Sequence, residues 1–546
     1  MSDRRRQARF ALLLAVGFGL IATGLYSPAL DAPFLSDDFQ YLVHNAYVTQ
    51  PGEGWWRAVL HPRGEPRVLA GGNYSPLVHA AHALAWKAFG DQTQGHHLAS
   101  VLLHALNSAL LAWALLRCGL SERSAAVAAA IFLLHPANVE AVAWISQLKS
   151  LLALGLALAA VLLFGRWPLA APVALGAALL AKASAAFVLP LLALMLWSRE
   201  AGEPRPRHQG TALALCLLVF AAFAPLQMML STELMLPAQG SPYADAGEQL
   251  RSMAAIGARY LAMAATGYGT AAFHDPEPVA SWLDPWWLAG AALAPLFVWR
   301  IAVTLRRRSL EAGWWLSAAA AFVPISQLIP FTYAVADRWL YFILPGLLGG
   351  TLLALRELRS DLAARGEGAR PARMLTGAGL ALGVAALLAF TLQARERVPL
   401  WQSMRSLYVD SARRYPDSAG AHALAAAQAL ERGDRDAAIA SLRASYARGG
   451  HFEQDFGMSL FAPLRDDPRY ESLLRDVAGD HIALAQRRGI YDPMQLASWH
   501  LQRGEVDEAI EVIRRAIRRH GPSAELVRAL AGLREARERQ GPDPEP

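Results

Sequence analysis

Asp37 and Asp38 stand side by side in Phe34-Leu-Ser-Asp37-Asp38-Phe39, just beyond a long apolar run. Adjacent carboxylates near a bilayer are costly unless they are solvated or used. A carboxylate at a membrane face can act as general base toward a hydroxyl acceptor, and its neighbour raises its pKa by like-charge repulsion. The competing reading is an ordinary polar loop start. Lys182, in Leu179-Leu-Ala-Lys-Ala-Ser184, is the lone charge of an apolar hairpin. Arg338 lies in Ala336-Asp-Arg-Trp-Leu-Tyr341, at the head of another apolar run. Two such cations suit a phosphate, which Arg meets with two parallel hydrogen bonds and Lys as a point charge. Against this stand snorkelling of Lys182 to the interface and a local pair of Arg338 with Asp337.

His135-Pro136-Ala-Asn-Val-Glu140 reads as the outer turn between two spans, with Lys149 further along the second, well inside the apolar run. Ionisable groups in that setting are functional candidates by default. For Lys149 the alternative is an internal pair that merely holds helices together. His104 and Asn107, one helical turn apart, read as interhelical hydrogen bonders. The sequence has no nucleotide loop, no metal-spaced His/Cys cluster and no nucleophile elbow. Asp37 and Asp38 offer two ligands to a divalent cation, which is short of a full set.

The elements that must position these residues follow from composition. Of 546 residues, 54% are hydrophobic and only 18% charged, against about 25% charged in soluble domains. An ordinary soluble enzyme is excluded for the whole chain. Cys118 and Cys216 are the only cysteines, so a disulfide framework is excluded too. Both lie in apolar stretches and read as small buried hydrophobes. From Arg395 onward, 23 Arg balance 23 Asp and Glu, so the net charge of +6 resides in residues 1–394. An apolar region punctuated by arginines reads as a polytopic membrane domain with positive-inside loops. A nucleic-acid surface would need an exposed basic face instead.

A span needs roughly 20 apolar residues. Eleven are expected: 10–30, 96–116, two within 124–166, a hairpin within 167–197 turning near Lys182, 209–230, 286–302, 314–330, 339–355 and 374–393. The arginines put the N-terminus inside and the C-terminus outside, with long outer loops at 31–95 and 231–285. Residues 250–273 contain Arg251 and Arg259 and read as an amphipathic helix at the outer interface. Residues 73–89, with His79, His82 and Lys87, have the same character.

Residues 395–540 read as a second, helical domain. Gly433, Ala438, Leu442 and Ser445 share their spacing with Gly504, Ala509, Ile513 and Ala516. That spacing is the tetratricopeptide pattern, in which small residues let antiparallel helices pack closely. The copies lie 71 residues apart, about two 34-residue periods. A plain helical bundle is the alternative. Residues 541–546 read as a disordered polar tail.

Taken in order, these motifs resemble a known family. They are Asp37-Asp38, Tyr74-Ser-Pro-Leu77, His97-Leu98, Leu103-His-Ala-Leu-Asn107, His135-Pro136, Val139-Glu-Ala-Val-Ala-Trp-Ile145, Leu180-Ala-Lys182, Ala336-Asp-Arg-Trp-Leu-Tyr341 and the C-terminal repeats. The resemblance is to the transmembrane and tetratricopeptide-repeat O-mannosyltransferase-like proteins of the GT-C glycosyltransferase superfamily, across essentially the whole chain. It implies an all-α fold: a GT-C-like membrane bundle of about 11 spans, then a repeat domain. It also implies inverting transfer of a sugar from a polyprenyl-phosphate donor to a hydroxyl on the outer face. Asp37 or Asp38 would be the base, with Asp37 favoured, and Lys182 and Arg338 would hold the donor phosphate. His135, Glu140, Lys149, Tyr341, His104 and Asn107 would support the site.

No cofactor is required beyond the lipid-linked sugar. The expected acceptor is a protein or peptide presented by the repeat domain, and the expected location is the bacterial inner membrane with the repeats in the periplasm. The alternatives are an envelope glycan or lipid acceptor, or a non-catalytic membrane scaffold that binds proteins through its repeats. The chain departs from its relatives at Ala183, where they usually carry Glu. It departs again in Ser146-Gln-Leu-Lys-Ser150, where they often have an acidic-basic cluster.

Overall fold

The computed structural model describes residues 3–61, 74–198, 207–235, 241–330, 333–364, 369–450, 459–488, 493–520 and 524–540. The expected disordered tail, 541–546, lies outside them. The described residues are helical, with no strand among them, and the chain forms two compact units, Met1–Tyr415 and Pro416–Pro546. The charge balance changes at Arg395, whereas the packing boundary falls after Tyr415.

The helices of the first unit that matter here are α1 (Asp3–Tyr26), α2 (Pro76–Phe89), α3 (Thr93–Arg117), α4 (Glu122–Leu134), α5 (Asn138–Ala143) and α6 (Leu148–Phe164). They continue with α7 (Ala171–Ala181), α8 (Leu189–Trp197), α9 (Gln209–Met235), α10 (Ala246–Thr266), α11 (Pro285–Arg306), α12 (Leu310–Phe322), α13 (Leu340–Ala364), α14 (Ala369–Arg397) and α15 (Met404–Arg414). Seven stretches are long and apolar enough to cross a membrane: Arg6–Ala29, Thr93–Arg117, Ile145–Phe164, Gln209–Met228, Pro285–Arg306, Asp337–Leu362 and Gly377–Gln402. Pro168–Ala181, Ala183–Trp197 and Leu310–Ile325 are apolar but shorter. Together with α4 they fall on the eleven expected runs. Cys118 and Cys216 are both free and buried.

Helix contact inside a bilayer is set by close packing, since lipid tails are as apolar as leucine. The pair α12 and α13 illustrates this. The Gly349 backbone lies so close to the indole of the fully buried Trp314 that a Cβ would overlap it, and Gly350 meets Trp315 in the same way. Gly349→Ala is therefore expected to cost roughly 1–3 kcal/mol of overpacking. Thermal unfolding in detergent checks this, and an unchanged midpoint would contradict it.

The second unit contains α16 (Ala419–Glu431), α17 (Arg435–Ala447), α18 (Pro468–Arg488), α19 (Pro493–Gln502), α20 (Val506–His520) and α21 (Ala524–Gln540). The helix pairs α16–α17 and α19–α20 turn at Gly433 (φ +75°) and Gly504 (φ +80°), a left-handed conformation that favours glycine. The spaced small and large residues point into the core. Ala438, Leu442 and Ser445 are buried in one copy, and Ala509, Ile513 and Ala516 in the other. Asp434 caps α17 by accepting from the Ala437 N–H at 2.9 Å.

Candidate active site

The loop after α1 is tightly constrained. Ser36 adopts φ +49°, a strained state for a non-glycine residue. A single π-helical turn, Phe39–Val43, follows Asp38, and such turns are frequent at functional sites. The Asp38 side chain is buried and closes the loop. Its Oδ2 accepts from the Leu35 N–H at 3.0 Å and its Oδ1 from the Ser146 N–H at 2.7 Å. Burial pushes the Asp38 carboxyl up to about 7, with the Asp37 charge adding to the push and the two backbone donors and Lys149 opposing it. Asp37 is half-buried, and among the described residues its carboxylate makes no hydrogen bond. The two acids therefore differ: one is an anchor and the other is open. Asp38 faces N–H donors, an environment that suits a carboxylate anchor better than a cation ligand. Among the described residues, no group of three or more His, Cys, Asp or Glu side chains converges on one point.

The expected cations gather beside this loop. Arg338 does not pair with its neighbour Asp337. Its guanidinium meets Glu140 through Nη1 and Oε1, and its backbone N–H donates to Glu140 Oε2 at 2.6 Å. Glu140 is only 3% exposed, so this is a buried ion pair reinforced by a backbone bond. Arg338 also lies over the Trp144 ring at 5.5 Å, and Asp37 is within electrostatic range of it. Lys182, at the turn after α7, points inward and does not snorkel. Its Nζ donates to Ser150 Oγ at 2.8 Å, and Ser150 Oγ donates to Gln147 Oε1 at 3.0 Å. Lys149, Arg338 and Glu140 are all within electrostatic range of Lys182.

The expectation that Lys149 lies deep in a span needs correction. The helix after His135 is not continuous. Trp144 takes an extended backbone (φ −88°, ψ 114°), and a 3-10 turn, Ile145–Gln147, precedes α6. Lys149 thus sits in the first turn of α6, at the same end of the bundle as Asp38. Its Nζ donates to Tyr41 Oη at 2.9 Å. The Trp144 indole N–H donates to Leu35 O at 3.2 Å and ties the break to the first loop.

His104, Asn107 and Tyr341 form a buried knot below the cations. His104 Nε2–H donates to Leu133 O at 3.1 Å. Because a carbonyl only accepts, Nδ1 is left to accept from Tyr341 Oη at 3.0 Å. Asn107 Nδ2 donates to Tyr341 Oη at 3.1 Å and to Leu151 O at 2.8 Å. The knot joins α3, α4, α6 and α13, and it fixes the helix that directly follows the Arg338 turn, Asp337–Trp339. His135 stands apart from the two acids. Its Nε2–H donates to Ala264 O at 3.3 Å and its Nδ1 accepts from the Ala137 N–H at 3.2 Å.

Sequence reasoning missed Trp144, Tyr41 and Ser150. It also missed a buried charge network behind Arg338. Asp337 Oδ1 meets His274 Nε2 at 2.7 Å, and Asp337 Oδ2 lies 3.6 Å from Arg397 Nη2. Arg397 also pairs with Asp410 at 3.2 Å. No local signal marks this network in the sequence, because its members come from residues 274, 337, 397 and 410.

Residues 494–533 match a family model described as a tetratricopeptide repeat. No curated protein matches the chain. Among solved structures, one similar chain is the Archaeoglobus fulgidus oligosaccharyltransferase tethered with an acceptor peptide containing the NVT sequon. It is 14% identical with a TM-score of 0.39, over 70% of this chain and 55% of that one. The chain thus spans about half the length of that protein. Another is ArnT from Cupriavidus metallidurans bound to undecaprenyl phosphate, 16% identical with a TM-score of 0.32, over 85% of this chain and 79% of that one.

Proposed function

We propose that this protein is a membrane glycosyltransferase that moves a sugar from a polyprenyl-phosphate carrier to a hydroxyl acceptor, with inversion at the anomeric carbon. The observation that carries the reading is one juxtaposition. An open carboxylate, Asp37, lies within electrostatic range of Arg338, and Arg338 and Lys149 lie within range of Lys182, at one end of a bundle of membrane-length helices. In this mechanism Asp37 takes the proton of the acceptor hydroxyl as its oxygen attacks the anomeric carbon. The bond to the carrier phosphate breaks on the opposite face, and its electrons go to a phosphate oxygen. Arg338 and Lys182 stabilise the charge that develops there.

The acceptor we favour is Ser or Thr of a protein, because a tetratricopeptide module offers a concave surface suited to peptides. The arginine distribution favours an inner-membrane protein with its site and repeats on the periplasmic side. Mass spectrometry of periplasmic proteins from wild-type and deletion strains tests this. Hexose-sized increments on Ser or Thr peptides are expected in the wild type and absent from the deletion. An unchanged glycoproteome with an altered envelope polysaccharide would move the acceptor to a glycan. No change in either would overturn the reading.

A further inference from the structure

A second cluster of cations lies in the first unit. A cavity of about 330 Å³ is lined by Arg259, Arg413, Arg414, Tyr268, Trp286 and Tyr415. Its volume falls in the range of small-ligand sites. Among the described residues, none of the three guanidiniums makes a hydrogen bond or ion pair. Arg259 rests over the Trp286 ring at 4.8 Å and Arg414 over the Tyr268 ring at 5.7 Å.

The nearby carboxylates are already engaged. Asp337 holds His274 and Arg397, and Asp410 holds Arg397 and the Ala272 N–H. His274, which also lines the cavity, is fixed between Asp337 and the Tyr415 hydroxyl, 3.1 Å from its Nδ1. Asp275, whose charge reaches Tyr415, has a partner of its own. Among the described residues the cavity therefore keeps an excess of positive charge that no carboxylate neutralises, unlike the Arg338–Glu140 pair.

The position points to the source of the anion. Trp286 is the second residue of α11, a membrane-length helix, and Trp282 packs edge-to-face on Trp287 beside it at 5.5 Å. Tryptophans at the end of a spanning helix mark the head-group level, where basic pockets hold phosphate head groups. Arginine meets phosphate with parallel hydrogen bonds. We propose that this cavity is a second anion site, which binds a phosphate group and takes it from a lipid head group. None of its three arginines has a part in the proposed transfer mechanism, and the site does not depend on the transfer reaction.

The test uses the full chain purified in detergent. Native mass spectrometry reads retention of phosphatidylglycerol, with phosphatidylcholine and inorganic phosphate as parallel probes. The variants are Arg259→Gln/Arg414→Gln and Arg259→Lys/Arg414→Lys, and thermal unfolding establishes that each is folded. The Gln variant is expected to lose phosphatidylglycerol about tenfold or more, and the Lys variant to lose less, since Lys keeps the charge without the fork. Retention that excess inorganic phosphate does not displace assigns the site to the lipid head group. Displacement by inorganic phosphate, with the same dependence on the arginines, keeps the phosphate site and assigns it to free phosphate. Equal retention by the wild type and the folded Gln variant would overturn the proposal.

Discussion

Asp37→Asn is expected to lower sugar transfer by about 10²–10⁴, the usual worth of a positioned general base, while leaving the fold intact. The Asp37 carboxylate makes no hydrogen bond among the described residues, so an amide of the same shape removes the base and little else. Asp38→Asn separates from it. Asn offers one acceptor oxygen, so an NH2 group must face either the Leu35 or the Ser146 N–H. Losing a hydrogen bond to a buried charged group costs roughly 1.5–3 kcal/mol, and the strained loop at Ser36 loosens with it. Asp38→Asn should therefore lower both the thermal midpoint and the activity. The pH dependence carries a definite sign. The folded-state pKa of Asp38 is raised to about 7 from an ordinary 3.8, so the folded protein binds the extra proton. The stability this group contributes is complete below about pH 4 and is lost as pH rises toward 7. Unfolding midpoints of the wild type relative to Asp38→Asn, taken across that window, check the sign. Full transfer activity in Asp37→Asn would remove the base from our mechanism.

The second large effect is expected at Glu140. Glu140→Gln strands the Arg338 guanidinium in a buried setting, and breaking a buried pair from one side typically costs about 3–5 kcal/mol. Arg338→Gln strands Glu140 in the same way. The double variant leaves no unpaired charge, so its stability should recover part of the loss. Its activity should not recover, because the cation proposed to face the donor phosphate is gone, at a cost of about 10²–10³ in kcat. Unfolding midpoints and transfer rates across this double-mutant cycle separate the two roles. If activity recovers along with stability, Arg338 is a structural cation only.

Much of the architecture was legible because its signals are local. Apolar runs and the arginines between them mark the spans, the Lys182 turn needs only its flanking sequence, and the small-residue spacing from Gly433 and Gly504 turns up buried in the second unit. The errors arose where distant segments decide. Asp337 is the obvious partner for Arg338 in sequence, yet the partner is Glu140, 198 residues away. Lys149 looks deep within one long run, because the interruption at Trp144 carries no proline or glycine. Tertiary contacts from the first loop make that break, not local propensity. The different environments of Asp37 and Asp38 were likewise invisible, since they depend on which carboxylate reaches Ser146.

The interruption at Trp144 also bears on the order of assembly. A helix broken near a bilayer leaves backbone groups that lipid cannot satisfy. The Ser146 N–H and the Trp144 indole find their partners in Asp38 and Leu35, 108 and 109 residues earlier in the chain. Until the first loop docks, the segment from Asn138 to Lys149 has a competing option, a continuous helix that satisfies itself. The broken form becomes the stable one only once the loop arrives. Nascent-chain crosslinking between the two segments would therefore report completion of the site as a late step, after the third and fourth spans are already in place.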